Sequence, residues 1–317
     1  MLLSRVADAL YWISRYLERA EHTARLIDVA VDHGLGLGAS AEAAGIDRLY
    51  QSLGLDQSES HPISRAGVAL FDSANRNAVV SCITVARENA RQVREEISTA
   101  MWQQLNELYL RVRQMREEDA WSARTHYTSR TVIEGVHLFQ GITDATMGHG
   151  EGWQYLQVGR HLERAGATAA LLNRFVAEGT EAGDGAPPHN QVAWVALLRS
   201  CSALEAYCRY YTAEVRAERV AEFLMLNEEF PRSVRFAAAR LERALRALAG
   251  YSGRRAGGRA ERLAGRLNAS LEYGQVDEIL NDGPHAYLAS ITRQCAQIHA
   301  ALYQSYISYS IETALPA

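Results

Sequence analysis

Between residues 6 and 31 the chain places an apolar or small side chain at alternating steps of four and three. Val6, Leu10, Ile13, Leu17, Ala20, Ala24, Ile27 and Val31 therefore share one face of a single long helix. A seam of that length cannot bury itself, so at least one further helix must cover it. Ala9, Trp12 and Tyr16 form an adjacent stripe, which predicts burial on more than one side. Gly34, Gly36 and Gly38 then stop the helix. With six prolines in 317 residues and no sustained strand-like alternation, the expected fold class is all-α.

The same seam returns 145 residues later as Tyr155, Val158, Leu162, Ala165, Ala169, Leu172 and Val176. Within it, Ser14-Arg15-Tyr16-Leu17-Glu18-Arg19-Ala20 matches Gly159-Arg160-His161-Leu162-Glu163-Arg164-Ala165. At an offset of 155, Phe71-Asp72 and Val79 match Leu226-Asn227 and Val234, each pair leading into another amphipathic helix. These correspondences predict an internally duplicated, pseudo-symmetric helical bundle. One domain spans 1–317, built from repeats of about 1–146 and 147–317. Surface loops are expected at 34–45, 178–190 and 250–258.

Composition narrows the chemistry. All 33 basic residues are arginine, so no lysine can grip a nucleotide phosphate, form a Schiff base or act as a base. Arginine stays charged and clamps carboxylates or phosphates, but it does not shuttle protons at neutral pH. A net charge of -4 argues against nucleic acid as the partner. Cys82, Cys201, Cys208 and Cys295 have no metal-type spacing and read as free thiols of a reducing compartment. Asp8 and Arg15 interrupt the opening apolar run before a signal core, and no uninterrupted apolar run is long enough to span a membrane. The expected location is the cytoplasm.

The repeated Arg-x-x-Glu-Arg is the most informative motif. On a helix Arg15 faces Glu18 and Arg19, while Glu18 reaches toward His22. If the two copies pack about a pseudo-twofold axis, Arg15, Glu18 and Arg19 approach Arg160, Glu163 and Arg164. Four arginines against two glutamates leave a surplus of positive charge suited to an anion. Surface ion pairs are the plainer reading of the same strings, and Leu241-Glu242-Arg243-Ala244 shows how easily one arises. A second basic block, Arg87-Glu88-Asn89-Ala90-Arg91 with Arg94 and Glu95, sets Arg87, Arg91 and Arg94 down one face, with Arg91 able to pair with Glu95. Glu134 and His137 have di-iron spacing, but no second such pair occurs. No nucleophile frame, dinucleotide fingerprint or metal set is present in the sequence, so no cofactor is expected.

Several separated blocks together resemble the bacterial alpha-E domain family. They are Leu2-Leu3-Ser4-Arg5-Val6-Ala7, Leu10-Tyr11-Trp12, Arg15 through Glu21, Ala86 through Arg91, Met101-Trp102 and Phe230-Pro231-Arg232-Ser233-Val234. The family's Glu-Arg motif falls here on Glu18-Arg19 and Glu163-Arg164. The sequence departs from the pattern at His22, where asparagine is common, and at Asn75-Arg76-Asn77, which lacks a proline. The resemblance implies an all-helical domain that works beside a circularly permuted ATP-grasp ligase and a transglutaminase-like protein. Three readings follow. In the first the chain is a non-catalytic subunit binding a carboxylate-bearing peptide or an acidic partner surface through Arg15, Glu18, Arg19, Arg160, Glu163, Arg164, Arg87, Glu88, Asn89 and Arg91. In the second it is an enzyme using a motif glutamate as base. In the third its charges only fix helix register.

Overall fold

The seam of residues 6 to 31 forms α1, Ser4–Gly34, and its counterpart forms α7, Glu151–Gly179. The computed structural model describes residues 2–34, 40–55, 62–115, 124–179, 189–211, 214–251 and 257–307. Between the two long helices lie α2 (Ser40–Ser52), α3 (Pro62–Phe71), α4 (Val79–Gln92), α5 (Thr99–Gln114) and α6 (Arg124–Thr146). After α7 come α8 (His189–Ser200), α9 (Leu204–Tyr211), α10 (Ala217–Leu226), α11 (Val234–Tyr251), α12 (Arg259–Glu272), α13 (Val276–Asp282) and α14 (Pro284–Leu302). A π-helical turn, Tyr303–Ile307, extends α14. The fold is all-α.

Local signals account for several of these boundaries. Ser98 caps α5 by accepting from the Met101 amide at 3.1 Å, and its hydroxyl also meets Thr146 at 2.7 Å. Gly283, at φ +107°, stops α13 in a conformation that L side chains rarely adopt. Pro284 then opens α14, where its missing N–H costs nothing. Asp72 and Asn227 each fold a loop by accepting from the amide two residues on, at 2.8 and 3.0 Å, just ahead of α4 and α11. The expected loop at 34–45 is corrected over 40–45, where α2 is already helical because the Ala-rich run 41–44 outweighs the propensity cost of Gly45, while residues 35–39 lie outside the described residues. Residues 180–188 and 252–256, within two other expected loops, lie outside the described residues.

The helices close two rings that share a wall. α1 packs on α4, α4 on α5, α5 on α6, and α6 returns to α1. In the same way α7 packs on α11, α11 on α12, α12 on α14, and α14 returns to α7. α1 and α7 lie against each other and run in the same direction. Leu2 meets Glu151, and Glu18 meets Arg164. Leu10, Ile13, Leu17, Ala20, Leu162, Ala165 and Ala169 are all buried along this wall.

Gly159 sets how close the wall can be. A Cβ there would lie under 3.0 Å from the Ser14 hydroxyl and the Tyr11 carbonyl oxygen, and the carbonyl is backbone that cannot step aside. Gly159→Ala is expected to destabilise the protein by about 1–3 kcal/mol through overpacking. Urea unfolding checks this, and an unshifted midpoint would rule out the close crossing.

Candidate functional site

The close crossing at Gly159 brings both Glu-Arg motifs to the inside of the wall, one helical turn further on. Each glutamate is held by the other helix. Glu18 accepts from Arg164 Nε at 2.5 Å and Nη2 at 2.8 Å. Glu163 accepts from Arg19 Nε at 2.7 Å and from Arg15 Nε at 2.7 Å. The Arg15, Glu18 and Arg19 set and the Arg160, Glu163 and Arg164 set therefore converge. The bonds run between helices, whereas the sequence spacing favours pairs within one. Nor is the motif a surface stripe, since Glu18 is 1% exposed and Arg164 8%.

Residues outside the motif extend this lattice on the side of α6. Arg232, from the loop ahead of α11, donates to Glu21 at 2.8 Å and approaches Glu18 at 3.4 Å. Arg25 donates to both oxygens of Glu21 at 2.9 and 3.2 Å. Gln140 donates to Glu18 at 3.2 Å, and Arg160 lies 3.9 Å from Asp144. On the side of α14, Arg15 Nη1 donates to the Tyr11 hydroxyl at 2.9 Å and lies 3.4 Å from His299 Nδ1. Arg19 Nη1 donates to Asn77 Oδ1 at 2.9 Å. Arg164 likewise reaches the Pro231 carbonyl at 3.2 Å, so Arg19 and Arg164 each tie down the loop ahead of a packed helix.

Leaving aside the distant Arg160–Asp144 pair, five arginines (Arg15, Arg19, Arg25, Arg164, Arg232) face three carboxylates (Glu18, Glu21, Glu163). The surplus fixes the protonation states. Burial pushes Glu18 up, but Arg164 and then Arg232 reverse this and hold it at about 2. Glu21 and Glu163 are lowered in the same way, against burial, by Arg232 with Arg25 and by Arg15 with Arg19. Burial and then Arg25 drive His22 down to about 3, and burial and then Arg164 hold His161 well below its ordinary value. Arg232 itself is lowered by burial and next by Arg25, as expected where positive charge exceeds its partners.

One opening reaches this lattice on the α14 side. It is a cleft of about 440 Å³ between α1, α7 and α14, with Arg15, Arg19, Glu163, Asn77 and His299 at its charged end. Leu162, Gly166, Ala167, Ala170, Cys295 and Ala296 give it an apolar, small-residue wall. The arrangement can hold an anion against arginines that are already positioned. A motif glutamate is a poor proton acceptor here, because the arginines stabilise its ionised form.

The second basic block lies elsewhere. Arg87 stacks over Trp102 and Tyr109, at 5.3 and 4.9 Å, and donates to Asn106 at 3.1 Å, all on α5. Arg94 also lies over Trp102, at 4.8 Å. Arg91 pairs with Glu88 at 2.6 Å in solvent, which corrects the expected Arg91–Glu95 pair, and Asn89 is half-buried. Among the described residues no bond joins this block to the motif lattice. Glu134 is exposed and paired with Arg130, while His137 points to Glu21 at 3.4 Å, so they do not act as one ligand pair. No group of three or more potential metal ligands occurs among the described residues.

Sequence reasoning missed Glu21, Arg25, Arg232, Asn77, Gln140 and His299. Glu21 and Arg25 had a local signal in their four-residue spacing, and Pro231-Arg232 lay within a recognisable block. Nothing in the sequence singles out His299, which meets Arg15 across 284 residues.

An all-helical bundle stitched by reciprocal Glu-Arg pairs is the class of protein that this fold and site define. Residues 2–307 match the Alpha-E family, described as "a predicted alpha-helical domain with a conserved ER motif", and the chain belongs to that family. It is 26% identical over 339 residues to the uncharacterized protein Mb2597 of Mycobacterium bovis, covering 94% of this chain and 35% of that one. The uncharacterized proteins MT2643 and Rv2567 of Mycobacterium tuberculosis match with the same identity and coverage. The chain thus spans about a third of the length of these relatives. No solved structure matches it. None of the described helices is long and apolar enough to cross a membrane.

Proposed function

We propose that the chain is a non-catalytic binding subunit of an ATP-grasp-linked system that forms or processes peptide or amide bonds. Its arginines hold a carboxylate-bearing peptide or a partner's acidic surface. The observation that carries this reading is the surplus of arginine over carboxylate around the α1–α7 wall, with one cleft opening onto it. The partners are a circularly permuted ATP-grasp ligase and a transglutaminase-like protein, as the family resemblance implies. Supporting this, the matching part of the mycobacterial relatives is one section of a much longer polypeptide. Two units of one helical design, about 1–146 and 147–317, account for the two rings and the reciprocal motif bonds. The unpaired thiols Cys82, Cys201, Cys208 and Cys295 suit the cytoplasm.

Ionised, arginine-bound glutamates weigh against an enzyme that uses one of them as its base. The purely structural reading is favoured at one place, the buried Glu18–Arg164 pair, which fixes the register of α1 on α7. Arg19 is the better probe of binding, because its side chain is 25% exposed at the cleft. Arg19→Ala is expected to keep its helical circular dichroism while co-purification with the ATP-grasp ligase falls about tenfold or more, as for a lost charged hydrogen bond. ATP turnover by the ligase should fall with it. A folded variant that retains the ligase and its turnover would refute the proposal.

A further inference from the structure

The grooves on either side of the α1–α7 wall are built from matched positions, yet they are filled differently. On the α6 side, Glu21 and Arg25 project from α1 and Arg232 folds in from its loop, so the chain's own side chains fill the groove. On the α14 side, the positions matching these three are Gly166, Ala170 and Asn77. Small residues there leave the cleft of about 440 Å³.

The arginines at the cleft define the charge of an occupant. The filled groove supplements its motif glutamate with two further carboxylates, Glu21 and Asp144. In the open groove Gly166 stands in the place of Glu21 and His299 in the place of Asp144. Arg15 and Arg19 are thereby left to share Glu163. A carboxylate entering the cleft would give Arg15 and Arg19 a second acceptor beside Glu163. Leu162 and Ala296 offer its stem apolar surface, and Gly166 and Ala170 leave the stem its room.

We propose that this cleft binds one peptide carboxylate on a short aliphatic stem, one per chain, clamped by Arg19 and Arg15, while the matching groove is closed by Glu21, Arg25 and Arg232. The inference deepens the binding reading above and rests on it. A peptide C-terminus and a glutamyl side chain share this chemistry.

The test is calorimetric titration of the full chain with three probes: acetyl-trialanine as the free acid, the same peptide as its C-terminal amide, and an amidated tripeptide with a central glutamyl residue. One-to-one binding of at least one acid, about tenfold or more tighter than the neutral amide, is the expected result. The tighter of the two acids identifies the source. Refilling the cleft with Asn77→Arg, Gly166→Glu and Ala170→Arg together is expected to weaken acid binding about tenfold or more. Gly166→Glu alone carries the same expectation should the triple variant fold poorly; its Cβ would meet Cys295 at an ordinary 3.8 Å. Equal affinity for acid and amide, two sites per chain, or undiminished binding in a folded refilled variant overturns the inference. Loss of the ligase in Arg19→Ala without acid-selective peptide binding rejects this inference and leaves partner binding standing. Acid-selective binding with ligase retention unaltered does the reverse.

Discussion

Arg164→Met will lower the stability of the protein by about 3–5 kcal/mol, the usual cost of removing one partner from a buried ion pair. The Glu18 carboxylate, 1% exposed, would lose its two shortest hydrogen bonds and keep only Arg232 at 3.4 Å and Gln140 at 3.2 Å. The bond from Arg164 to the Pro231 carbonyl goes as well, loosening the loop that delivers Arg232. Arg19→Met removes the matching bond on the other side, yet it should cost only about 1–2 kcal/mol, because water reaches that site and Arg15 stays on Glu163. Urea unfolding of the two variants beside wild type measures the asymmetry. Equal losses would mean that the two grooves are equally closed. Adding Glu18→Gln to Arg164→Met should recover part of the loss, since the stranded charge is then gone.

That asymmetry marks the boundary of what the sequence discloses. The seams of α1 and α7 follow from period alone, because a helix with a continuous apolar face must be covered, whereas the convergence of their motifs required in addition that these two helices pack on each other. Burial of the motif was not evident, since Arg and Glu at these spacings ordinarily face water. The clue lay one turn earlier, where Ser14 and Gly159 put small residues on both helices at the crossing. α2 escaped notice because Gly-rich and Ala-rich segments abut at residues 34–44, and glycine there reads as a loop. The choice of partners was illegible for a different reason. Arg232 and His299 reach the motif across 214 and 284 residues, a matter of ring closure rather than local spacing. Nor does local spacing disclose the cleft, where Gly166 and Ala170 of α7 meet Asn77 from the loop ahead of α4.

Acid will unfold this protein in two stages, and both have the same sign. His22 is held near 3 against an ordinary 6.5, and His161 is also lowered. Both are neutral in the folded state, while the unfolded chain takes up their protons as soon as pH drops below about 6.5. Stability is therefore fully present above that value and begins to decline beneath it. Glu18, Glu21 and Glu163 act at lower pH, because their folded values lie below an ordinary 4.5. Their contribution is complete above about pH 4.5 and drains as pH falls toward 2, where Glu18 itself protonates. For Glu18 alone the shift from 4.5 to about 2 corresponds to stability on the order of 3 kcal/mol. Urea midpoints at pH 7, 5.5, 4 and 3 should fall monotonically and most steeply at the last step. His22→Asn should reduce the first stage, leaving the part due to His161, and keep the second in place. A midpoint that holds steady or rises between pH 7 and 3 would show that the arginine lattice does not hold these carboxylates ionised.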